Sequence, residues 1–459
     1  MADQLEALTV IFTEVYYWIT VVFMFLIHVG FCMYEVGASR RKNMMHTLMK
    51  NTMVIPLVTV TFFYFGWYIY FAWPNGPGII GPVLDAPHAT PWSPLMGAHL
   101  SDGDGWSHIN GVFWAAFLLF SWTAASIVSG AVIERIRSGA FWLLAVVIGS
   151  FTWIIDAAWG WHPDGWMVQI LGYHDAYASG VIHAIAGGFA LGILCNLGPR
   201  IGKFRADGTP RNIVPHNPWL VTVGLFLIYT GFWGFYVACN IPIFDVGEMA
   251  GMSESFFSTT NIYLTPTTTS AITFNFLMSL SGGLLAGYIV SKGDGFWTYS
   301  SGLAGVIAAS AGNDLYHPIQ AMLIAMVGVW VVYKMHFWVE RTFKIDDAVG
   351  AVAVHGYAGF FGVVVAGFML WGYPSSMNAE YASITPWGQF IGAIIMFGVL
   401  GFLPAFIVSF ILKKMNLLRI PPEIELAGLD LAEYHGRYLD EAEVLDAEKA
   451  EARARGLIN

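Results

Sequence analysis

Two histidines stand in the middle of long apolar runs of this chain. His183 lies in "DAYASGVIHAIAGG", residues 175–188, and His355 in "DDAVGAVAVHGYAGFFG", residues 346–362. An imidazole in hydrocarbon needs a partner and is a functional-site candidate by default. The two surroundings match. Asp175 and Asp347 each precede their histidine by eight positions, and Ala186–Gly187 and Ala358–Gly359 follow at the third and fourth positions after it. Both segments read D-x7-H-x2-A-G. Two facing imidazoles can share a hydrogen bond, one nitrogen donating and the other accepting. An ordinary pKa of about 6.5 suits them to pass a proton on. The plainer alternative gives each histidine a backbone carbonyl of its own, and the matched pair weighs against it. Metal or haem ligation would call for further ligands. The upstream carboxylates lie about 12 Å away along a helix, at roughly 1.5 Å per residue, too far to orient a ligating imidazole. No metal and no cofactor is expected.

The elements that position these residues must be membrane helices. The chain has 459 residues, 56% hydrophobic and 11% charged, with a mean hydropathy of +0.60. A soluble domain carries about 25% charge. A spanning helix needs about 20 mostly apolar residues. Eleven stretches qualify, at roughly 10–34, 48–72, 108–133, 140–160, 174–197, 217–240, 268–291, 295–312, 317–335, 348–371 and 386–415. The eighth and ninth are short and parted only by "AGNDLYHP". The fold class expected is an all-α polytopic membrane protein. The three cysteines, Cys32, Cys195 and Cys239, have no metal or redox spacing. The start, "MADQLEALTV", lacks the basic n-region of a signal peptide, so the first helix is read as retained.

Lys and Arg stay on the cytoplasmic side. With eleven spans, all 21 of them fall on one side: Arg40, Arg41, Lys42 and Lys50 by the first loop, Arg135 and Arg137 after the third span, and so on to the tail. This puts the N-terminus outside and the C-terminus in the cytoplasm, in a multi-pass protein of the plasma (inner) membrane. The outer loops carry Asp85, Asp102, Asp104, Asp164, Asp245, Glu248, Glu254 and Glu380. These are either ordinary solvated loop charges or a face whose field attracts cations. No nucleic-acid partner is expected.

His183 and His355 are 172 positions and five spans apart. An odd offset turns the two copies in opposite directions, the signature of an inverted repeat with its site at the repeat interface. Spans one to five (about 10–197) then pair with six to ten (about 217–371), and the eleventh (about 386–415) is an extra helix. The histidines should face each other across the pseudo-two-fold axis. Small residues such as Gly187, Gly188, Gly356 and Gly359 allow their helices to approach closely.

On these residues the chain resembles the ammonium transporter (Amt/Rh) family. "RRKNMMHTLMKN" (40–51) is similar to the family's first cytoplasmic loop, and "SGAVIERIR" (129–137) to the end of its third helix. "PHNP" (215–218) opens the sixth helix as the family does, and "ELAGLDLAEYHG" (425–436) resembles its tail, in the form of the Amt branch. The resemblance spans nearly the whole chain. It implies a membrane domain over 1–420, a cytoplasmic regulatory tail over 421–459, and no enzyme activity. It implies a homotrimer with one ammonium path per subunit, surrounded by lipid, and a PII-type regulator docking at the tail. Carried over by position, two stacked phenylalanines that gate the path fall on Phe120 and Phe235. A tryptophan and a hydroxyl of an outer cation site fall on Trp159 and Cys239, and the carboxylate that shapes it on Asp175. His183 and His355 are the twin histidines. Aromatic faces attract a cation by about 0.5–2 kcal/mol, while an apolar stretch below the gate penalises the ion. Ammonia can then cross it, with the proton passing separately along the histidines.

The wording departs from the family at the entrance. The family follows the carboxylate with an aromatic and Ala-Gly; here "DAYASG" puts Tyr177 one place late. In "GFWGFYVAC", Tyr236 replaces an Asn and Cys239 a Ser, and a thiol is a weak donor and acceptor. Asp156, three residues before Trp159, either restores cation attraction or closes the outer end of the fourth helix with a hydrogen bond. The leading function is ammonium transport. The alternative is an ammonium receptor that signals without net flux. A haem oxidoreductase fails on ligand count.

Overall fold

The computed structural model describes residues 2–91, 105–242, 259–433 and 449–456. Asp102, Asp104, Asp245, Glu248, Glu254 and most of the tail beyond Glu433 lie outside the described residues. Ten helices among the described residues are long and apolar enough to cross a membrane. They are α1 (Ala7–Ala38), α2 (Arg41–Ala72), α3 (Ile109–Ala131), α4 (Ser138–Gly160), α5 (Ser179–Leu197), α6 (Pro218–Ala238), α7 (Thr269–Ser291), α9 (Pro318–Phe343), α10 (Val352–Met369) and α11 (Pro386–Lys414). The helix between α7 and α9, α8 (Gly295–Ser310), has 16 residues and is buried throughout from Ser300 to Ser310. By length and composition ten of the described helices qualify as crossings; α8 falls short of that length, and the expected count of eleven is not reached on this measure alone. The chain is also not wholly helical. β1 (Asn240–Ile241), β2 (Thr259–Asn261) and β3 (Pro266–Thr267) form a small antiparallel sheet in that order, beyond the end of α6.

Close helix crossings hold the bundle. A methyl on Gly224 of α6 would lie 2.5 Å from the Tyr34 nitrogen of α1, so the two helices meet backbone to backbone. Such approach is what small residues provide where lipid gives no hydrophobic drive. The helices that carry the histidines cross in the same way, and symmetrically. Gly187, four residues after His183, abuts Gly356, one after His355; Gly359, four after His355, abuts Ala184, one after His183. α11 lies against α5, with Asn196 Nδ2 donating to Ser409 Oγ at 2.9 Å.

Two short helices, α12 (Pro422–Ala427) and α13 (Leu429–Glu433), follow α11. Glu425 accepts from Arg419 at 2.7 Å and from the Ile201 amide at 2.6 Å. Asp430 accepts the Met45 and His46 amides at 3.0 and 2.9 Å. A carboxylate at the start of the α2 helix both satisfies orphan amides and suits the helix dipole.

Candidate functional site

The two histidine helices start alike. Asp175 Oδ2 accepts from the Gly180 and Val181 amides at 2.7 and 2.9 Å. Asp347 Oδ2 accepts from the Ala353 amide at 3.2 Å, the same six-residue reach as Asp175 to Val181. Three residues after each Asp the backbone turns left-handed, at Ala178 (φ 72°) and Gly350 (φ 73°). π-helical turns then follow, Ser179–Ala184 and Val352–Tyr357, and each contains the histidine. π turns inside α-helices mark functional positions frequently. The D-x7-H spacing is thus a cap, a left-handed turn and a wide helical turn that aims the imidazole inward.

His183 and His355 meet, Nδ1 to Nδ1 at 3.1 Å, with ring centroids 5.1 Å apart. Both are buried. His183 lies flat against Phe232 (5.8 Å, 9°) and Phe235 (5.6 Å, 16°). Phe120 meets Phe235 at 4.8 Å with planes at 90°. The phenylalanines are therefore edge to face, not stacked as expected; an aromatic quadrupole favours that geometry over a face-to-face sandwich. Phe31 closes the far side of His355 at 6.0 Å. Phe120, Phe235, His183, His355 and Phe31 form one continuous buried column.

The remaining residues sit around it unequally. Trp159 does not reach the column. It packs on Trp166 at 5.6 Å. Trp161 stands in its place, 5.0 Å from Phe120, its Nε1 donating to the Asp175 carbonyl at 2.7 Å. Trp159 is the penultimate residue of α4 and Trp161 the first beyond its end, where the backbone leaves the helix, so the two side chains point to different neighbours. The near-repeat "WGW" held that signal. Cys239 is buried one turn beyond Phe235 and donates its thiol to the Phe235 carbonyl at 3.3 Å. Asp156 is fully buried, and neither of its oxygens has a hydrogen-bond partner among the described residues. The hydrogen bond that would close the end of α4 is not made. One turn on, Gly160 packs on Tyr173 and Met396, and the Tyr173 hydroxyl lies 3.3 Å from Asp175 Oδ2. Asp175 Oδ1 is also unpartnered among the described residues.

The two departures in wording meet each other. Tyr177 and Tyr236 stack at 4.3 Å and 8°. The Tyr177 hydroxyl donates to Asn240 Oδ1 at 3.1 Å, and the Tyr236 hydroxyl accepts from Asn313 Nδ2 at 2.9 Å. Among the described residues no three His, Cys, Asp or Glu side chains gather as a metal site.

A bundle of membrane-crossing helices with an imidazole pair buried at the crossing of two symmetric helices has the plan of a small-solute transporter. The chain belongs to the Ammonium Transporter Family, whose model matches residues 15–438. It is a multi-pass membrane protein of a transporter family, not an enzyme. It is 31% identical to ammonium transporter Amt2 of Methanocaldococcus jannaschii over 422 residues, covering 90% of this chain and 88% of that one. It is 29% identical to ammonium transporter Amt2 of Archaeoglobus fulgidus over 423 residues, covering 88% and 83%. Its fold matches a solved structure named Sensor Amt Protein with a TM-score of 0.74 at 24% identity, covering 93% of this chain and 99% of that one.

Proposed function

We propose that the chain moves ammonium across the membrane by giving up the proton at the outer end of the column and relaying it through His183 and His355 while ammonia crosses beside them. The observation that carries this reading is the 3.1 Å contact between two buried imidazoles, enclosed by phenyl rings that exclude a hydrated ion. Neutral imidazoles can exchange donor and acceptor roles along that bond. Phe120 and Phe235 are the gate, Trp161 supplies the aromatic face beside it, and Asp175 shapes the entrance as a helix cap. Cys239 is a weaker oxygen substitute, and Asp156 offers two free acceptors to an approaching cation.

The same reading takes α8 as an eleventh crossing, because only then do all 21 Lys and Arg fall on one side. The N-terminus is then outside and the tail cytoplasmic, in the plasma (inner) membrane. Residues 1–420 form the transport domain, and 421–459 a regulatory tail that docks a PII-type partner; the working unit is a homotrimer. Reconstituted in liposomes, the protein should give a current after an ammonium jump, with methylammonium and potassium as controls. His183→Ala should abolish the selective current. If it persists with unchanged selectivity, the relay is wrong; if the unaltered protein binds ammonium without current, the chain is a receptor.

A further inference from the structure

Beyond His355, on the side of the basic loops, the column ends in a small cavity. Phe31, Tyr34, Glu35, Gly130, Val349 and His355 line it, and its volume of ≈ 10 Å³ is room for about one water molecule. Glu35 is fully buried. Its two oxygens differ. Oε2 accepts from Ser129 Oγ at 2.6 Å and Asn51 Nδ2 at 2.9 Å, and lies 3.6 Å from Lys50 Nζ. Oε1 has no partner among the described residues, and it lies against Gly130, where an added methyl would sit 3.5 Å from it. A buried carboxylate is costly unless it is paired. Here the pairing is complete on one oxygen and open on the other, and the open oxygen lies toward Gly130, which lines with Glu35 the cavity that His355 shares. His355 gives Nδ1 to His183, so Nε2 is its second proton-bearing nitrogen.

We propose that Glu35 is the next proton carrier after His355. The N–H bond at His355 breaks, an O–H bond forms at Glu35 Oε1 by way of one bridging water, and the imidazole returns to neutral. Lys50 stays charged, held by the Ser129 carbonyl at 2.7 Å and over the Phe141 ring at 5.0 Å. Its positive charge beside the newly neutral carboxyl drives the proton onward to the basic-loop face. The proposal rests on the histidine-relay reading above.

The test compares two fluxes in liposomes: charge movement after an ammonium jump, and ammonia entry read by isotope-labelled nitrogen retained in the vesicles, which does not depend on the proton that follows. Glu35→Gln keeps the shape and removes the proton site. Charge movement should fall about a hundredfold, the low end of what a positioned proton acceptor contributes, with ammonia entry unchanged. Glu35→Gln with Lys50→Met, which removes the unbalanced charge, should behave the same and covers the case in which the single variant does not fold. Unchanged current in either folded variant, or equal loss of both fluxes, overturns the role of Glu35. If the current of the unaltered protein does not depend on His183, the relay reading falls instead.

Discussion

The two ends of the buried column treat charge in opposite ways. At the end near the basic loops, charges are mostly paired, with Glu35 Oε1 and Asp347 Oδ1 left open among the described residues. Glu134 accepts from Arg40 Nε at 2.8 Å and faces Arg200 at 3.5 Å. Asp346 takes two 2.9 Å bonds from the Arg200 guanidinium, and Arg135 donates to the Asp346 carbonyl at 2.6 Å. At the other end, both oxygens of Asp156, Asp175 Oδ1 and Trp159 Nε1 are without partners among the described residues. The paired end fastens loops from four parts of the chain to one another. On the reading proposed above, the open carboxylate oxygens of Asp156 and Asp175 are where a cation would be recognised.

The largest effect should come from breaking the paired end. Arg200 is buried and serves both Glu134 and Asp346. Arg200→Ala should lower stability by about 3–5 kcal/mol, the usual consequence of stripping one partner from a buried ion network. Thermal unfolding in detergent checks it; a loss under about 1 kcal/mol would mean the pairs behave like surface ones. Acid should loosen the same end. Burial alone would raise the Glu134 carboxyl, but Arg200 and Arg40 outweigh it and hold it below its ordinary value. Burial is likewise outweighed at Asp346 by Arg135 and Arg200, which hold it well below the usual carboxylate range. Both groups bind protons less readily folded than unfolded. Their contribution is complete above about pH 4.5 and is lost as pH falls through the depressed values. Arg200→Ala should flatten that acid limb.

The unpaired end should answer through flux, not stability. Asp156→Asn removes a buried carboxyl group that nothing in the described fold bonds, and a buried unpaired carboxyl is costly, so the protein should be no less stable than before. Its ammonium uptake should saturate at a higher concentration, as should that of Trp161→Leu. Each lost contact is worth about 1 kcal/mol, roughly a fivefold shift. Trp159→Leu should leave saturation unaltered. Equal shifts from both tryptophans would deny Trp161 its place beside the gate, and an unshifted Asp156→Asn would remove Asp156 from the entrance.

What could be read from the sequence follows the same division. The repeat D-x7-H-x2-A-G is local, so its spacing states the cap, the turn and the inward imidazole without knowledge of the fold. The apolar runs declared the membrane helices because lipid allows few alternatives. The sequence offers two tryptophans in "WGW" that differ in helical phase, and it is Trp161, not Trp159, whose ring packs on Phe120. Tyr177 and Tyr236 each stood out as odd wording, yet their stacking joins residues 59 positions apart and is visible only in three dimensions. Glu35 gives no signal in the sequence because a carboxylate five residues before Arg40 looks like a solvated helix end. Its burial comes from α2 and α3, which fold over it.

The smallest effect sharpens the symmetry between the two histidine helices. The left-handed residue before each is Ala178 in one copy and Gly350 in the other. A methyl at positive φ is strained by about 1 kcal/mol or more, while Gly adds entropy to the unfolded chain that offsets part of the relief. Ala178→Gly should therefore stabilise the protein by about 0.5 kcal/mol with transport unaltered. The reverse change in the other copy, Gly350→Ala, should cost more, because its methyl would also press on the Trp297 ring at 3.3 Å. Unfolding midpoints of the two variants, measured in the same detergent, decide it. A destabilised Ala178→Gly would mean that the Ala178 methyl packs more favourably than its backbone is strained, and that the two copies, alike in their caps and turns, have diverged in what holds them.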